Sequence, residues 1–425
     1  AQKPLTDYVN PMLGTATLWD SVDLGFKPTK RTWGAEVFPG SSLPNAMVQV
    51  SPVTKFHSGA GYQYEDSVIY GFTHTNKGHW NLCHIPLLPV TGTPTPGDYC
   101  SPFSHERESA APGYYQVFLD RYGVDAQLSS TLRCAFHKYT YPAGAAASLL
   151  ADLQRSNEHV RAWDIRKEGD NVFAGWQQTG EKMYFYAVAN RPVTGIEPVV
   201  EGDREVRIVR FGEGDGALEL RIGFSFVSEK NARENLEAEM LGKSFAEVRS
   251  EATATWNDLL GRIRVEGGTE REKGLFYSSL YRSFLWPALR SDVNGEFTDV
   301  DGKVINPGFR YYTGPSYWDD YRNKLILLGM LAPDVAADVI SSDTDKGEKR
   351  GGFMPTFFHG DHASAFVAGT YLRGNRGFDV NRAYNLVLRN ATVQGPSRPW
   401  LDEYIAKGYI SEMDVENPVT WTVCK

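Results

Sequence analysis

From Ala46 to about Val227 the apolar residues recur with period two, and the stretches between them are rich in turn residues. Leu218, Leu220, Ile222, Phe224 and Phe226 alternate with small or polar neighbours and face the run Glu205 to Phe211 across the loop Gly212-Glu213-Gly214-Asp215-Gly216. Such alternation sets one face of a strand in a core and the other in water. Similar runs at Tyr114 to Leu119, Gln127 to Tyr141, Ala146 to Leu153, Val172 to Gln177 and Met183 to Ala189 predict two packed antiparallel sheets, a β-sandwich domain over residues 1–227. Gly and Pro are spread through residues 34–52 and 91–102, which reads as long loops on that scaffold, the kind of segment that carries sites.

After Val227 the period becomes helical. Phe245, Val248, Ala252, Trp256, Leu259, Leu260 and Ile263 fall on one stripe that ends at Gly267-Gly268, so residues 228–268 are expected to form a helical linker. Thr269 with Glu272 is a capping-box pair, and Leu275, Phe276, Ser279, Leu280 and Phe284 continue an amphipathic helix towards Pro287. Further helices are expected at Asp320 to Leu331, Pro333 to Ser342, His362 to Arg373, Asn381 to Arg389 and Pro399 to Lys407, giving a helical domain over 269–425. The fold class is therefore α+β and multidomain. A closed toroid of a dozen helices needs on the order of 300 residues, more than follow Thr269, so a small bundle or part of a larger barrel is expected.

Composition narrows the function. With 425 residues, 41% hydrophobic and 23% charged, the chain is globular and too long for one core. A net charge of −8 without any Lys/Arg-rich run argues against nucleic acid or an anionic membrane surface as partner. No stretch approaches the length of apolar sequence that a membrane-spanning helix needs. Ala1-Gln2-Lys3-Pro4 is what cleavage after a small residue would leave, although a truncated start would look the same; an extracytoplasmic location, secreted or periplasmic, is expected. Cys83, Cys100, Cys134 and Cys424 form no CxxC unit, so a cysteine-based zinc site is not expected.

Several residues carry candidate chemistry. His74, His79 and His84 recur every five residues, a step that matches neither a strand face nor a helical turn, so structural or substrate-facing roles are favoured over metal ligation. Trp80 suits an aromatic platform for the C–H face of a sugar ring as well as it suits a plug in the sheet. Trp318-Asp319-Asp320-Tyr321-Arg322 follows the Gly314-Pro315 turn; helix capping explains one carboxylate, while two carboxylates with a Trp and an Arg are also what recognition of vicinal hydroxyls requires. Asp361 in Gly360-Asp361-His362-Ala363 reads either as an N-cap with His362 as its neighbour or as part of a site. GxSxG, GxxxxGKS and a strand-linked GxGxxG are absent from the sequence, which leaves the paired-carboxylate chemistry of glycoside hydrolysis as the favoured class.

These blocks, taken in order, resemble glycoside hydrolase family 92, the calcium-dependent exo-acting α-mannosidases. The likeness runs through Tyr8-Val9-Asn10-Pro11-Met12-Leu13-Gly14-Thr15, Phe38-Pro39-Gly40, Met47-Val48-Gln49-Val50-Ser51-Pro52, Ile69-Tyr70-Gly71-Phe72-Thr73-His74-Thr75, Ser104-His105-Glu106 and Pro112-Gly113-Tyr114-Tyr115, with Arg133 and His137 in a strand. It continues in Tyr317-Trp318-Asp319-Asp320-Tyr321-Arg322, similar to the family's Ser-Leu-Trp-Asp-Thr-Tyr-Arg, then Gly351-Gly352-Phe353-Met354-Pro355, Gly360-Asp361-His362-Ala363 and Gly408-Tyr409.

The resemblance implies an N-terminal antiparallel β-sandwich, a helical linker and an (α/α)6 toroid, incomplete over these residues. It implies inverting hydrolysis of terminal α-mannosyl residues from a mannose-containing glycan, assisted by Ca2+, with Asp319 holding sugar hydroxyls and Trp80 in the sugar-binding wall. Arg322, Asp361 and His362 are supporting candidates. The family's catalytic glutamate lies in a Thr-Leu-Glu block beyond the Gly-Tyr segment and its base in a later aspartate pair; neither block occurs here, so the catalytic residues are expected beyond Lys425, and no metal ligand is assigned. Lys77-Gly78-His79-Trp80 replaces a Ser-Gly-Thr-Gly stretch, which leaves the linkage open. The rival expectation is a non-catalytic mannoglycan-binding protein.

Overall fold

The computed structural model describes residues 3–17, 25–27, 34–76, 82–356, 360–396 and 398–410. The chain divides into two compact units, residues 1–285 with 292–294, and residues 286–291 with 295–425.

The first unit is built on two antiparallel sheets, where alternation of apolar residues led us to expect them. One runs, in spatial order, Ser41–Ser42, Gln49–Val53, Gly71–Thr73, Leu87–Thr91, Ala147–Ala151, Arg204–Phe211 and Val193–Glu201. The other runs Ala162–Gly169, Val172–Gln178, Lys182–Ala189, Leu218–Ser225, Cys134–Thr140, Val124–Ser130, Tyr114–Leu119 and Glu108–Ala111. The apolar run Gln127 to Tyr141 is a hairpin rather than one strand: Thr131 N–H returns to the Cys134 carbonyl at 2.9 Å, and Arg133 at the turn is held by Glu239. Phe72 on the first sheet packs against Tyr115 and Tyr139 on the second, with ring centroids 6.5 and 6.3 Å apart.

Two helices cover the outer face of the larger sheet. Helix α1 (Glu229–Glu239) lies on the strands Leu218–Ser225 and Lys182–Ala189, and α2 (Phe245–Leu260) reaches Val124–Ser130 and Cys134–Thr140. Leu236, Met240, Phe245 and Val248 join Tyr114, Cys134 and Phe136 in one buried cluster. Close approach of α1 requires Gly223, where a Cβ would stand 2.1 Å from the Ala232 carbonyl oxygen. Helix α1 showed no apolar stripe in the sequence because half of its buried face is amide. Asn231 and Asn235, with the Ser225 hydroxyl, donate to the buried Asp292 carboxylate at 2.9, 2.8 and 2.7 Å. Helix α2 begins with a capping box at Ser244 and Glu247, and its buried Trp256 indole donates to the Ser42 carbonyl at 2.7 Å.

Helix α3 (Glu270–Arg282) starts with the expected Thr269–Glu272 capping box. It ends before the anticipated Pro287, where the Arg282 guanidinium turns to the carbonyls of Phe38 at 2.9 Å, Pro11, and Leu13 at 3.2 Å. Burial lowers that guanidinium to a pKa of about 10.

The second unit is helical, with one small ribbon, Phe297–Thr298 paired to Val304–Ile305. The helix expected at Asp320 to Leu331 is two, α4 (Tyr317–Asp320) and α5 (Lys324–Leu331). At the break the Tyr321 ring lies on His362, and Asp320 pairs with Lys324 four residues on. Helix α6 (Pro333–Lys349) runs seven residues past the expected end at Ser342. Its apolar stripe stops at Ile340, but Asp343, Asp345, Lys346 and Lys349 continue the inward face with hydrogen bonds in place of apolar contacts. Then follow α7 (His362–Leu372), α8 (Val380–Thr392) and α9 (Leu401–Lys407). Among the described residues no single helix is long and apolar enough to cross a membrane.

Candidate active site

Trp80 belongs to the segment joining the strands Gly71–Thr73 and Leu87–Thr91 and, with residues 77–81, lies outside the described residues. The C-terminal flank of that segment is strained. Cys83 and Ile85 have φ of 51° and 55°, a region that costs such side chains about 1–3 kcal/mol unless the surroundings over-determine it. Here they do: Cys83 N–H donates to Thr75 O at 2.9 Å, His84 N–H to Thr75 Oγ1 at 3.0 Å and Ile85 N–H to Gln177 Oε1 at 2.7 Å.

The His84 ring lies between Thr75 Oγ1 and Thr179 Oγ1, 2.8 Å from each. Thr179 gives its one hydroxyl proton to Glu158, so in the neutral ring His84 Nε2–H donates to Thr179 and Nδ1 accepts from Thr75. The nearby His84 ring, its Nε2 3.6 Å from the Glu158 carboxylate, and then the Thr179 hydroxyl hold Glu158 down to a pKa of about 2.

His74 points elsewhere. Its Nδ1–H donates to the Ile85 carbonyl at 2.9 Å, its Nε2 accepts from His137 Nε2–H at 2.9 Å, and His137 Nδ1 accepts from the Tyr139 hydroxyl at 2.6 Å. Two of the three regularly spaced histidines are thus separately engaged, and His79 lies outside the described residues. Among the described residues no group of three His, Cys, Asp or Glu side chains is placed to hold a metal, and Cys83, Cys100 and Cys134 are free thiols.

The other four candidates are in the second unit. Asp319 sits on the single turn α4 with its side chain exposed, flanked by the buried Tyr317 and Asp320. Arg322 is exposed, its guanidinium 4.8 Å from the Tyr321 ring centroid. His362 stacks on the same Tyr321 ring, with centroids 4.0 Å apart and planes inclined by 8°. Asp361 caps α7, accepting from Ser364 N–H at 3.4 Å and Ser364 Oγ at 2.6 Å; Asn390 Nδ2 at 3.1 Å and Arg398 at 3.5 Å complete its shell. Its carboxylate is fully buried, so its oxygens serve the fold. The structure therefore gathers Arg322, Tyr321, His362 and Asp361, with Asp319 one turn ahead as an exposed carboxylate.

Sequence reasoning did not find the group beneath this turn. Tyr317 donates to Asp343, whose other oxygen is 3.2 Å from Lys346 Nζ, and Lys346 also donates to the Tyr312 carbonyl at 3.0 Å. Burial, and next the Asp343 charge, push the Tyr317 phenol well above its ordinary value; burial raises the Asp320 carboxyl, against the pull of Lys324. The signal for Asp343 and Lys346 was their i, i+3 spacing on the polar tail of a helix, which equally describes a solvated face.

Residues 8–234 match the glycosyl hydrolase family 92 N-terminal domain and residues 231–424 the glycosyl hydrolase family 92 catalytic domain. A family GH92 α-mannosidase of Bacteroides thetaiotaomicron, also solved in complex with mannoimidazole, superposes with a TM-score of 0.84 at 26% identity over 95% of this chain. A family GH92 inverting mannosidase of the same organism gives 0.84 at 23% identity over 98% of this chain, a likeness of fold. An uncharacterized secreted glycosidase of Arthroderma benhamiae is 24% identical over 96% of this chain. The chain spans 58%, about 60% and 56% of these three relatives' own lengths. Two contiguous family matches that together run along nearly the whole chain, over a β-sheet unit followed by a helical unit, establish that it belongs to glycosyl hydrolase family 92.

Proposed function

We propose that the protein acts outside the cytoplasm as an exo-acting α-mannosidase, releasing terminal α-mannosyl residues from a mannose-containing glycan with inversion. The observation that carries the reading is Asp319, the exposed carboxylate between the half-buried Trp318 and the buried Asp320 on a one-turn helix in the catalytic-domain match. An ionised carboxylate accepts from two adjacent hydroxyls at once, which is what fixing a sugar ring requires. The GH92 α-mannosidase with its mannoimidazole complex supports the sugar, and the secreted glycosidase supports the location.

Inversion needs an acid and a base on opposite faces of the ring, with carboxyl groups about 6.5–9.5 Å apart to admit a water. We assign neither role to a residue of this chain. Calcium belongs to the same reading. Among the described residues no group of three His, Cys, Asp or Glu side chains is placed to hold it, so no ligand is assigned and no step is routed through it.

The test is mannose release from α-mannosides by the full-length protein, with the anomer of the first product read by NMR. Loss of turnover in Asp319→Asn, and in EDTA with recovery on adding Ca2+, is the expected result. Undiminished activity in EDTA removes the calcium part, and full activity of Asp319→Asn removes the site.

A further inference from the structure

A single helical turn is a poor platform for a ligand-holding carboxylate, because it nucleates at a loss and has almost no internal bonds. Helix α4 has four residues, and its N-cap Ser316 makes no side-chain cap bond. The Ser316 carbonyl, accepting from the amides of Asp319 and Asp320 at 2.9 Å each, and the Tyr317 carbonyl, accepting from Tyr321 at 3.1 Å, close the turn.

What fixes its placement is the pair of inward side chains at i and i+3. Tyr317 is 2% exposed and donates its hydroxyl to Asp343 on α6. Asp343 is itself buried, neutralised by Lys346, and Lys346 is tied to the backbone at Tyr312. Asp320 reaches Lys324 on α5 at 3.4 Å. Two different helices thus hold one turn, and Asp319 is what that turn presents outward.

Both anchors depart from the Ser-Leu-Trp-Asp-Thr-Tyr-Arg block that this stretch resembles: Tyr317 stands at the Leu position and Asp320 at the Thr position. A leucine would fill the space by packing alone. A phenol on a buried carboxylate carries a desolvation cost that packing does not require, and what it adds is direction. Asp361 and Asp320 also lie close enough to oppose ionisation of Tyr317, so the hydroxyl stays a donor.

We propose that Tyr317, Asp343 and Lys346 are positioning residues that hold the Asp319 carboxylate in the orientation that receives sugar hydroxyls. This rests on the role given to Asp319 above.

The experiment is calorimetric binding of D-mannose to the full-length protein in four forms: unmodified, Asp319→Asn, Tyr317→Phe and the double variant, with melting temperatures recorded alongside. Tyr317→Phe keeps the ring and should weaken mannose binding about tenfold, the scale of one misdirected charge-assisted contact. It should cost nothing further when Asp319 is already Asn, although it lowers the melting temperature in both backgrounds. Asp343→Asn, whose amide oxygen still accepts from Tyr317, should stay within about threefold of the unmodified protein. Lys346→Met supplies a second probe of the same coupling if Tyr317→Phe does not fold, with binding weakened only where Asp319 is intact.

An equal loss in both backgrounds, or no loss at all, overturns the positioning role while Asp319 keeps its own. Mannose binding indifferent to Asp319→Asn overturns the substrate reading, and this inference with it.

Discussion

Acidification should unfold the first unit through the imidazole pair that bridges its two sheets. His74 and His137 are fully buried, and Tyr139, His137, His74 and the Ile85 carbonyl form a one-way chain of donors in which each ring has room for one proton. Desolvation, the dominant cause, lowers His74 to a pKa of about 3 and His137 well below its ordinary value. A second charge in the pair would also turn two N–H groups towards each other across 2.9 Å.

In the unfolded chain both rings titrate near 6.5. A folded-state pKa below the unfolded value means that this stability is complete above about pH 6.5 and is lost as pH falls towards the folded value. In that window each ring contributes a slope of about 1.4 kcal/mol per pH unit. Together the pair removes about 3 kcal/mol between pH 6.5 and 5, because the slope is only half-developed at pH 6.5; this is a large part of the roughly 5–15 kcal/mol that holds a domain together. Urea unfolding followed by tryptophan fluorescence at pH 7.5, 6.5, 5.5 and 5.0 measures the slope. Comparing the protein with His74→Gln isolates the pair, since the variant should be less stable at pH 7.5 yet lose about 1.4 kcal/mol less per unit. Identical slopes in the two proteins would refute the assignment, as would a slope that high salt abolishes, because buried charges are little screened.

The same first unit offers two packing tests. Gly223→Ala should push α1 off its sheet, since the new methyl meets the Ala232 carbonyl at 2.1 Å and Leu236 Cβ at 2.7 Å; a loss of about 1–3 kcal/mol or more is expected by chemical denaturation. Asp292→Ala strands three buried donors on Ser225, Asn231 and Asn235 and should cost about 3 kcal/mol or more, whereas Asp292→Asn should cost clearly less. Parity of the two Asp292 variants would show that the hub is dispensable. Thr179→Val removes the hydroxyl between His84 and Glu158 and should raise the Glu158 pKa from about 2, readable by carboxyl NMR titration.

The chain's local patterns determined its strands, most of its helices and the order of its two regions. Alternation in Leu218 to Phe226 and the Thr269–Glu272 cap are local rules, and neighbouring residues suffice to satisfy them. Asp361 as an N-cap was readable for the same reason. Where the apolar pattern was silent, the burying partner was polar and distant: α1, inside the stretch read as helical, faces the sheet partly through asparagines bound to Asp292, and α6 runs past its apolar stripe on aspartates and lysines. Hydrophobic periodicity is blind to such faces, because a buried hydrogen-bonded Asn or Asp has the same local signature as an exposed one. The blocks through Trp318-Asp319 also carried the family, but only the tertiary structure showed that Asp319 is exposed, that Asp361 is spent on its own cap, and that a tyrosine 26 residues before Asp343 in the chain is hydrogen-bonded to it. Those outcomes depend on which helices meet. That is settled by packing between segments far apart in the chain, and no local pattern encodes it.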